Sequence, residues 1–369
     1  MLFLSCKGDI KKHRLLPRII DFTTEEIIET GHNTYQYRKS GDVYVTIFPE
    51  TSINYLNNDI TLNNGLYAEF SGYIPKKKTK IISDITISKY LESKRAGINV
   101  YVVNIPDSLS IEKSIVSARY FYNDNDEYYH EFDLKYIDTI AGFKRYGFVI
   151  GYNILWKVKS IKINISIDFT GNLTMRAYSL NKVVDRQFET QVIRFSPKKS
   201  KEIVSADRSK YRLEQENRWK IWTTVNEYKH HGFFSNPIDT MQYMTSSLGM
   251  VREWRLSNNK LNSKDTHLGI DYSAPKGAPV YAVLNGFVTF AGSVEYFGNM
   301  IIIDHGMGVY TSYCHLDRII VDVGTLLESG IQIGTVGMTG ASTGPHLHWE
   351  MRVHGFPVDP LVLKDLSFR

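Results

Sequence analysis

Histidine and aspartate side chains concentrate in three short segments near the end of the chain. These segments are His267-Leu268-Gly269-Ile270-Asp271, Tyr313-Cys314-His315-Leu316 and Gly344-Pro345-His346-Leu347-His348-Trp349-Glu350. Residues at i and i+2 of a strand point to the same face, so the imidazoles of His346 and His348 should project together. Two imidazoles held by one rigid strand provide half of a zinc site.

The first segment can supply the rest of such a site. His267 and Asp271 share a face of an extended strand, but they lie about 13 Å apart by strand rise. Gly269 between them permits a bend or bulge that brings the two side chains together. One histidine, one aspartate and one further histidine then form a three-ligand catalytic site with an open position.

Zinc held in this way suggests a hydrolase. The metal polarises a scissile carbonyl and lowers the pKa of bound water to about 7. A base must take the proton from water, and a donor must stabilise the tetrahedral oxyanion. The two histidines that are not ligands, one in the second segment and one in the third, suit these roles.

The motifs resemble those of the lysostaphin-type (LytM-like) zinc metallopeptidases, which are peptidoglycan endopeptidases. The resemblance covers roughly residues 245 to 361 and is most diagnostic in the run from Thr339 to Glu350. It also includes Ala274-Pro275-Lys276-Gly277-Ala278-Pro279-Val280, Asn285-Gly286-Phe287-Val288, Gly298-Asn299, Ile303-Asp304-His305-Gly306 and Val358-Asp359-Pro360.

The resemblance implies a role for each of five side chains. The zinc ligands would be His267, Asp271 and His348, with one zinc per chain, and the catalytic histidines would be His315 and His346. The resemblance does not assign the base between these two. It implies peptidoglycan as the substrate, cut in its peptide stems or cross-links during remodelling of the bacterial cell wall.

Two other functions compete with hydrolysis. A non-catalytic, wall-bound regulator that activates a separate amidase typically lacks some of the five polar residues, and all five are present here. A biotinyl-like carrier hairpin at residues 330–337 would need a lysine at its tip, and none is present. Some members of the family also place a tyrosine shortly before the first ligand, but residues 261–266 contain none.

For several neighbouring side chains, a structural role competes with a role in the site. His305, within a turn-like stretch, is expected to be structural, and His354 is expected at an exposed hairpin tip. Cys314 should face away from the site and pack in the core. Glu350 could support the metal centre or form a surface salt bridge. Arg252 could line the cleft or serve packing.

The wider pattern predicts a mainly all-β protein. Residues 41–196 contain short alternating runs, such as residues 161–167, that are typical of an antiparallel β-sandwich, and an immunoglobulin-like arrangement fits them. Residues 197–237 are rich in charged helix formers and predict a short helical connector. Residues 238–369 are Gly-rich and predict an antiparallel β peptidase domain. Residues 1–40 are interpreted as a leader or linker.

Composition limits the remaining classes of function. Lys and Arg total 44 against 39 Asp and Glu, a net charge of +5 without the dense basic stripe of a nucleic-acid binder. Two cysteines, Cys6 and Cys314, exclude a disulfide framework. Residues 1–6 resemble the end of a lipoprotein signal, and the alternative is a chance resemblance. The first interpretation predicts lipidation of Cys6, membrane anchoring and a cell-envelope or periplasmic location. The oligomeric state is not predicted.

Overall fold

The chain is described by a computed structural model over most of its length. The described residues are 26–29, 34–39, 42–47, 67–72, 85–90, 95–122, 127–170, 173–194, 196–197, 208–227, 234–239 and 244–365. Cys6, the predicted lipidation site, lies outside them. Strands dominate these residues, which confirms the mainly all-β prediction.

Twelve strands are found in the described residues of the N-terminal part. They are β1 (Glu26–Glu29), β2 (Thr34–Lys39), β3 (Asp42–Ile47), β4 (Tyr67–Gly72), β5 (Thr86–Tyr90), β6 (Ile98–Pro106), β7 (Ile111–Phe121), β8 (Glu127–Phe132), β9 (Lys135–Ile140), β10 (Phe143–Gly151), β11 (Ser160–Phe169) and β12 (Leu173–Lys182). β1, β2 and β3 pair as one antiparallel sheet, so two strands lie within the segment expected to be a linker.

Two larger sheets form the predicted sandwich. Their strand orders are β5-β6-β10-β9 and β4-β12-β11-β7-β8. Both contribute to one hydrophobic core, in which Tyr101 and Phe148 from the first sheet meet Tyr120 and Ile163 from the second. The isoleucines of β11 are all buried and alternate with exposed or partly exposed polar residues, because successive side chains of a strand face opposite sides.

A single helix and thirteen strands follow among the described residues. They are β13 (Thr190–Arg194), α1 (Arg208–Thr223), β14 (Met244–Ser246), β15 (Val251–Arg255), β16 (Leu261–Thr266), β17 (Ile270–Ser273), β18 (Pro279–Tyr281), β19 (Gly286–Val294), β20 (Gly298–Asp304), β21 (Val309–Ile319), β22 (Leu326–Leu327), β23 (Gln332–Val336), β24 (His346–Val353) and β25 (Phe356–Val358), with a 3-10 turn at Pro360–Asp365. α1 lies within the predicted helical connector.

The C-terminal strands build one large antiparallel sheet. Its central order is β14-β17-β24-β21-β20-β19-β22, with β18, β23 and β25 attached at the side. This arrangement confirms the predicted antiparallel C-terminal domain. β17, β24 and β21, the strands at or next to the three chemistry-bearing segments, are direct neighbours.

A strand from the expected sandwich segment pairs with the C-terminal part instead. β13 pairs in parallel with β15, and β15 pairs with β16. Thr190 to Arg194 thus extends a small sheet that flanks the large one. Parallel pairing of this kind joins strands distant in sequence and leaves no local signal in the chain.

The turn between β24 and β25 docks on the sandwich. Phe356 is buried among aromatic side chains of the sandwich core, including Tyr120 and Trp156. His354, expected at an exposed hairpin tip, is buried there, so that prediction is wrong. Its Nε2–H donates to the Val149 carbonyl at 2.8 Å. The hairpin pattern predicts a turn, but it cannot show which surface packs on that turn.

Candidate active site

β24 carries a row of polar side chains on one face. His346, His348 and Glu350 alternate with Leu347 and Trp349, which are buried in the hydrophobic core. The alternation follows from the two-residue period of a strand. It aims both imidazoles of the third segment at the same side of the sheet, as their spacing predicts.

In the first segment, the backbone at Gly269 lies very close to the backbone of β24. Asp271 on β17 pairs directly with His348, and His267 lies just before β17. Gly269 between them faces β24 so closely that a Cβ atom would lie 2.6 Å from the Trp349 carbonyl oxygen and 2.8 Å from Cε1 of His348. Only glycine fits there without displacing the strand.

His315 reaches the site through a bulge in β21. Tyr313 pairs with Ile301 and Leu316 pairs with Asn299, so β21 carries one residue more than β20 at this point. His315 takes a φ of +60°, which is uncommon for a residue with a side chain. The bulge turns the imidazole toward β24. Cys314 packs on the other side in a hydrophobic cluster, as predicted.

Three candidate ligand atoms converge at the centre. Nε2 of His267 lies 3.0 Å from Oδ1 of Asp271 and 3.0 Å from Nδ1 of His348. The Nδ1 of His348 lies 2.7 Å from the same Asp271 oxygen. All three residues are buried, and together they form a group able to hold a metal ion.

Each of these ligands has its other polar atom occupied. The Nδ1–H of His267 donates to the Ser247 carbonyl at 2.9 Å, which leaves its Nε2 as a lone-pair atom. The guanidinium of Arg252 pairs with Oδ2 of Asp271 and leaves Oδ1 for the centre. Such outer partners fix the orientation and tautomer of metal ligands.

The third ligand is oriented by a carboxylate. Nε2 of His348 donates to Glu350 at 3.0 Å, and Glu350 accepts from Arg352 at 2.8 Å. Glu350 is fully buried, so the surface salt bridge considered for it does not occur. Arg352 and His348 hold the pKa of Glu350 at about 2 against the opposing effect of burial, so the group is a carboxylate.

The charges of the centre suit a cation. Burial by itself raises the pKa of Asp271, but hydrogen bonds with His267 and His348 outweigh burial and hold that pKa well below its usual range. Burial also lowers the pKa of His348, whereas its bonds to Asp271 and Glu350 raise it to about 9. A buried carboxylate between two imidazoles therefore favours a cation at this centre. Two imidazoles and one carboxylate are a donor set that binds transition metals well.

Two further imidazoles border this centre. The rings of His315 and His346 lie 4.8 Å apart, and the ring of His315 lies 5.9 Å from that of His348. Nε2 of His346 lies 3.9 Å from Oδ1 of Asp271. The structure thus brings together all five residues singled out in the sequence.

The tautomers of both bordering histidines follow from backbone carbonyls. Nδ1–H of His315 donates to the Thr339 carbonyl, and Nδ1–H of His346 donates to that of Gly344, both at 2.8 Å. In the neutral ring the proton on Nδ1 leaves Nε2 as an acceptor. Burial and the neighbouring His348 and His346 lower the pKa of His315 to about 3, so its ring is neutral.

Other predicted residues lie beside the centre or away from it. His305 hydrogen-bonds to the Asn285 carbonyl and the Thr311 hydroxyl, which is the expected structural role. Arg252 contacts the centre itself, and not only the cleft. The carbonyls of Ser247, Thr339 and Gly344 were not singled out, because a backbone group carries no residue-type signal.

Comparison with known proteins finds a family match that covers this site. Residues 265–360 match the model of Peptidase family M23. A crystal structure from Pseudomonas aeruginosa, described as a peptidase M23, shares the fold at a TM-score of 0.50 and 20% identity, over 75% of this chain and 96% of that one.

Two curated relatives are similar to part of this chain. The DD-carboxypeptidase/endopeptidase Mpg of Neisseria meningitidis serogroup B is 48% identical over 112 residues, which are 30% of this chain and 24% of that protein. The peptidoglycan DD-endopeptidase ShyA of Vibrio cholerae is 33% identical over 147 residues, 37% of this chain and 34% of that protein. The matches thus span about a quarter to a third of these relatives' lengths.

Proposed function

We propose that the peptidase M23 domain at residues 265–360 makes this protein a zinc-dependent endopeptidase that hydrolyses peptide stems or cross-links of bacterial peptidoglycan. Substrate support comes from relatives named for DD-endopeptidase action on that polymer. The observation that carries the proposal is the buried convergence of three candidate ligand atoms, on His267, Asp271 and His348, which lie within 4.8 Å of one another.

Zinc is the proposed metal because of the ligand types. Imidazole nitrogens and one carboxylate oxygen are characteristic of catalytic zinc sites, which keep a further position open. When bound, zinc would polarise the scissile carbonyl and acidify the attacking water. The ligand atoms would be Nε2 of His267, Oδ1 of Asp271 and Nδ1 of His348, one site per chain.

His346 is the better placed proton acceptor for water. Its Nε2 lies 3.9 Å from the Asp271 oxygen that faces the centre, and its Nδ1–H is held by Gly344. A base must lie within hydrogen-bond reach of the proton that it removes. Once protonated, the same Nε2–H can deliver the proton to the leaving amine.

His315 would orient the same water. Its Nε2 is an acceptor in the neutral ring, and the Thr339 carbonyl fixes the ring against rotation. The low pKa of His315, about 3, keeps it neutral and makes it a weaker base than an ordinary imidazole. We therefore assign proton transfer to His346 and positioning of water to His315.

Mass spectrometry of muropeptides released from purified sacculi tests this function. The zinc-loaded full chain should release peptides shortened at a defined bond, and His346→Ala should release none above background. Muropeptide release equal to background for the wild type, with zinc bound, would instead favour the non-catalytic regulator. A chelator should abolish release, and added zinc should restore it.

The substrate implies a cell-envelope location. The described helix is not long and apolar enough to cross a membrane. Attachment through a lipid on Cys6 is a separate hypothesis, which rests on the residues that precede it. Metabolic labelling with an alkyne fatty acid would test it, with Cys6→Ala as the matched control.

A further inference from the structure

One face of α1 packs against the C-terminal sheet. Glu214, Arg218 and Trp222 recur every four residues, so they lie on the same side of the helix. Arg218 and Trp222 are buried, whereas Leu213 and Trp219 are exposed. The helix precedes the region that matches the peptidase family model, yet its inner face contacts that region directly.

Trp222 forms the end of a chain of contacts to the metal centre. The guanidinium of Arg352 lies over the Trp222 ring, 4.3 Å from its centroid. Nε and Nη2 of Arg352 donate to one oxygen of Glu350 at 3.1 and 2.8 Å. The other oxygen of Glu350 accepts from Nε2 of His348 at 3.0 Å. In this series of contacts, Trp222 orients Arg352, Arg352 orients Glu350, and Glu350 orients His348.

The orientation of the Arg352 side chain depends on this packing, because little solvent reaches it. Arg352 is buried, and Glu350 is fully buried. Nη1 of Arg352 donates to the Gly355 carbonyl at 3.3 Å, so the guanidinium plane is fixed by two partners on its edge and by the indole on its face. Aromatic faces attract a desolvated guanidinium strongly.

A second contact of α1 reaches the other side of the site. The guanidinium of Arg218 lies 5.0 Å from the centroid of the Phe297 ring. The Phe297 carbonyl accepts the backbone N–H of His315 at 2.8 Å, at the bulge that aims this imidazole. The Phe297 ring also lies 5.7 Å from that of His348. α1 thus touches the supports of a candidate ligand and of a candidate catalytic histidine.

We propose that Trp222 of α1 is a positioning residue for the metal centre, acting through Arg352 and Glu350 on the orientation of His348. The connector then supports the metal site without supplying a ligand. In this arrangement the imidazole presents Nδ1 to the metal because its Nε2–H is held by a carboxylate that α1 keeps in place. Outer partners of this kind typically change metal affinity by about 10–100-fold when they are lost.

The inference rests on the proposed zinc centre, and its test measures metal binding by the full chain. Apo protein is titrated with zinc in competition with a chromogenic chelator, and its cobalt(II) form is examined by visible absorption. Trp222→Ala should bind zinc about tenfold more weakly or worse and show altered cobalt bands. Trp222→Phe, which keeps an aromatic face, should recover most of the affinity.

Trp219→Ala is the matched control. Trp219 is on the same helix, but it packs on Gly355 at the hairpin tip. This variant should keep the wild-type zinc affinity and cobalt spectrum, even if its melting temperature falls. Glu350→Gln removes the intermediate carboxylate and should weaken zinc at least as much as Trp222→Ala does.

The outcomes separate the inference from the function. A wild-type chain that binds no zinc overturns the zinc centre and the inference with it. Wild-type affinity in folded Trp222→Ala overturns the inference alone. Equal weakening in Trp222→Ala and Trp219→Ala also overturns it, because general docking of α1 would then explain the effect.

Discussion

At the scale of residues, the four imidazoles of the site differ in what holds their second nitrogen. His267, His315 and His346 each donate Nδ1–H to a backbone carbonyl and turn Nε2 inward. His348 reverses this orientation, because Glu350 takes its Nε2–H and its Nδ1 faces the centre. A carboxylate partner also makes an imidazole more basic than a carbonyl does. Of the two proposed histidine ligands, His348 should therefore bind the metal more strongly than His267.

The separate roles of two residues on the same strand give a first prediction. His346→Ala should lose about 10²–10⁴-fold in activity while retaining zinc, because its proposed role is that of a base and not that of a ligand. His348→Ala should lose zinc as well as activity. Zinc content and muropeptide release, measured on the same preparations, distinguish the two variants. Loss of zinc from His346→Ala would contradict the assignment.

A buried histidine outside the site predicts a pH dependence of stability. Burial, aided by His130, lowers the pKa of His354 to about 3, whereas in the unfolded chain it is near its ordinary value. The unfolded state therefore binds more protons between these two values, so stability falls as the pH drops below about 6.5. One such group should cost about 2 kcal/mol between pH 7 and pH 5.

His354→Gln isolates this contribution. Glutamine can still donate to the Val149 carbonyl but does not titrate. Urea unfolding at pH 7 and pH 5 should show a smaller loss in the variant, by about 2 kcal/mol. Other buried histidines should preserve the remaining acid sensitivity. Equal losses in both proteins would show that His354 is protonated in the fold or already neutral when unfolded.

At the scale of elements, β24 carries most of the polar side chains of the site. Its strand pattern could be predicted in part from the sequence. Spacing in the sequence indicated that His346 and His348 share a face, and alternation placed Cys314 in the core. The bulge at His315 could not be predicted, because it depends on the pairing of β21 with β20. The burial of His354 depends on the sandwich that covers it. Arg352 continues the polar face of β24, so the same alternation predicts its place beside Glu350. The contact of Arg252 with Asp271 depends on tertiary packing that local patterns do not encode.

Gly269 supplies a prediction about the meeting of two elements. Gly269→Ala should weaken zinc binding by at least tenfold, because its Cβ would overlap the Trp349 carbonyl and the His348 ring. Gly277→Ala is the control. It strains a backbone with a φ of +90°, but no atom lies within 4 Å of the added Cβ. Gly277→Ala should reduce stability without changing zinc affinity, and a similar zinc loss in both variants would refute the steric argument.

At the scale of the whole molecule, the hairpin of β24 and β25 joins the two β-rich parts. Phe356 belongs to the core of the sandwich, while neighbouring residues of the same hairpin, such as Val353 and Val358, belong to the core of the large sheet. Asp359 forms an ion pair with Arg186 and a backbone bond with Ala96. The two parts should therefore unfold together.

Phe356→Ala tests this coupling. Removal of a buried phenylalanine should cost about 3–5 kcal/mol, since the aromatic pocket cannot fully collapse. Urea unfolding followed by far-UV circular dichroism and by zinc release should give coincident, earlier transitions. Leu155→Ala, at a position 51% exposed, should stay within about 0.5 kcal/mol of the wild type. Separate transitions in the wild type would argue against a single cooperative unit.

The polar face of β24 has a consequence for domain transplantation. A chimera that borrowed residues 265–360 would receive His346, His348 and Glu350 intact. It would leave behind Trp222, the partner of Arg352, and the Val149 carbonyl, the partner of His354. A transplanted segment that kept these contacts would therefore begin before α1 and would include part of the sandwich. The segment needed for transfer is then longer than residues 265–360, which match the family model.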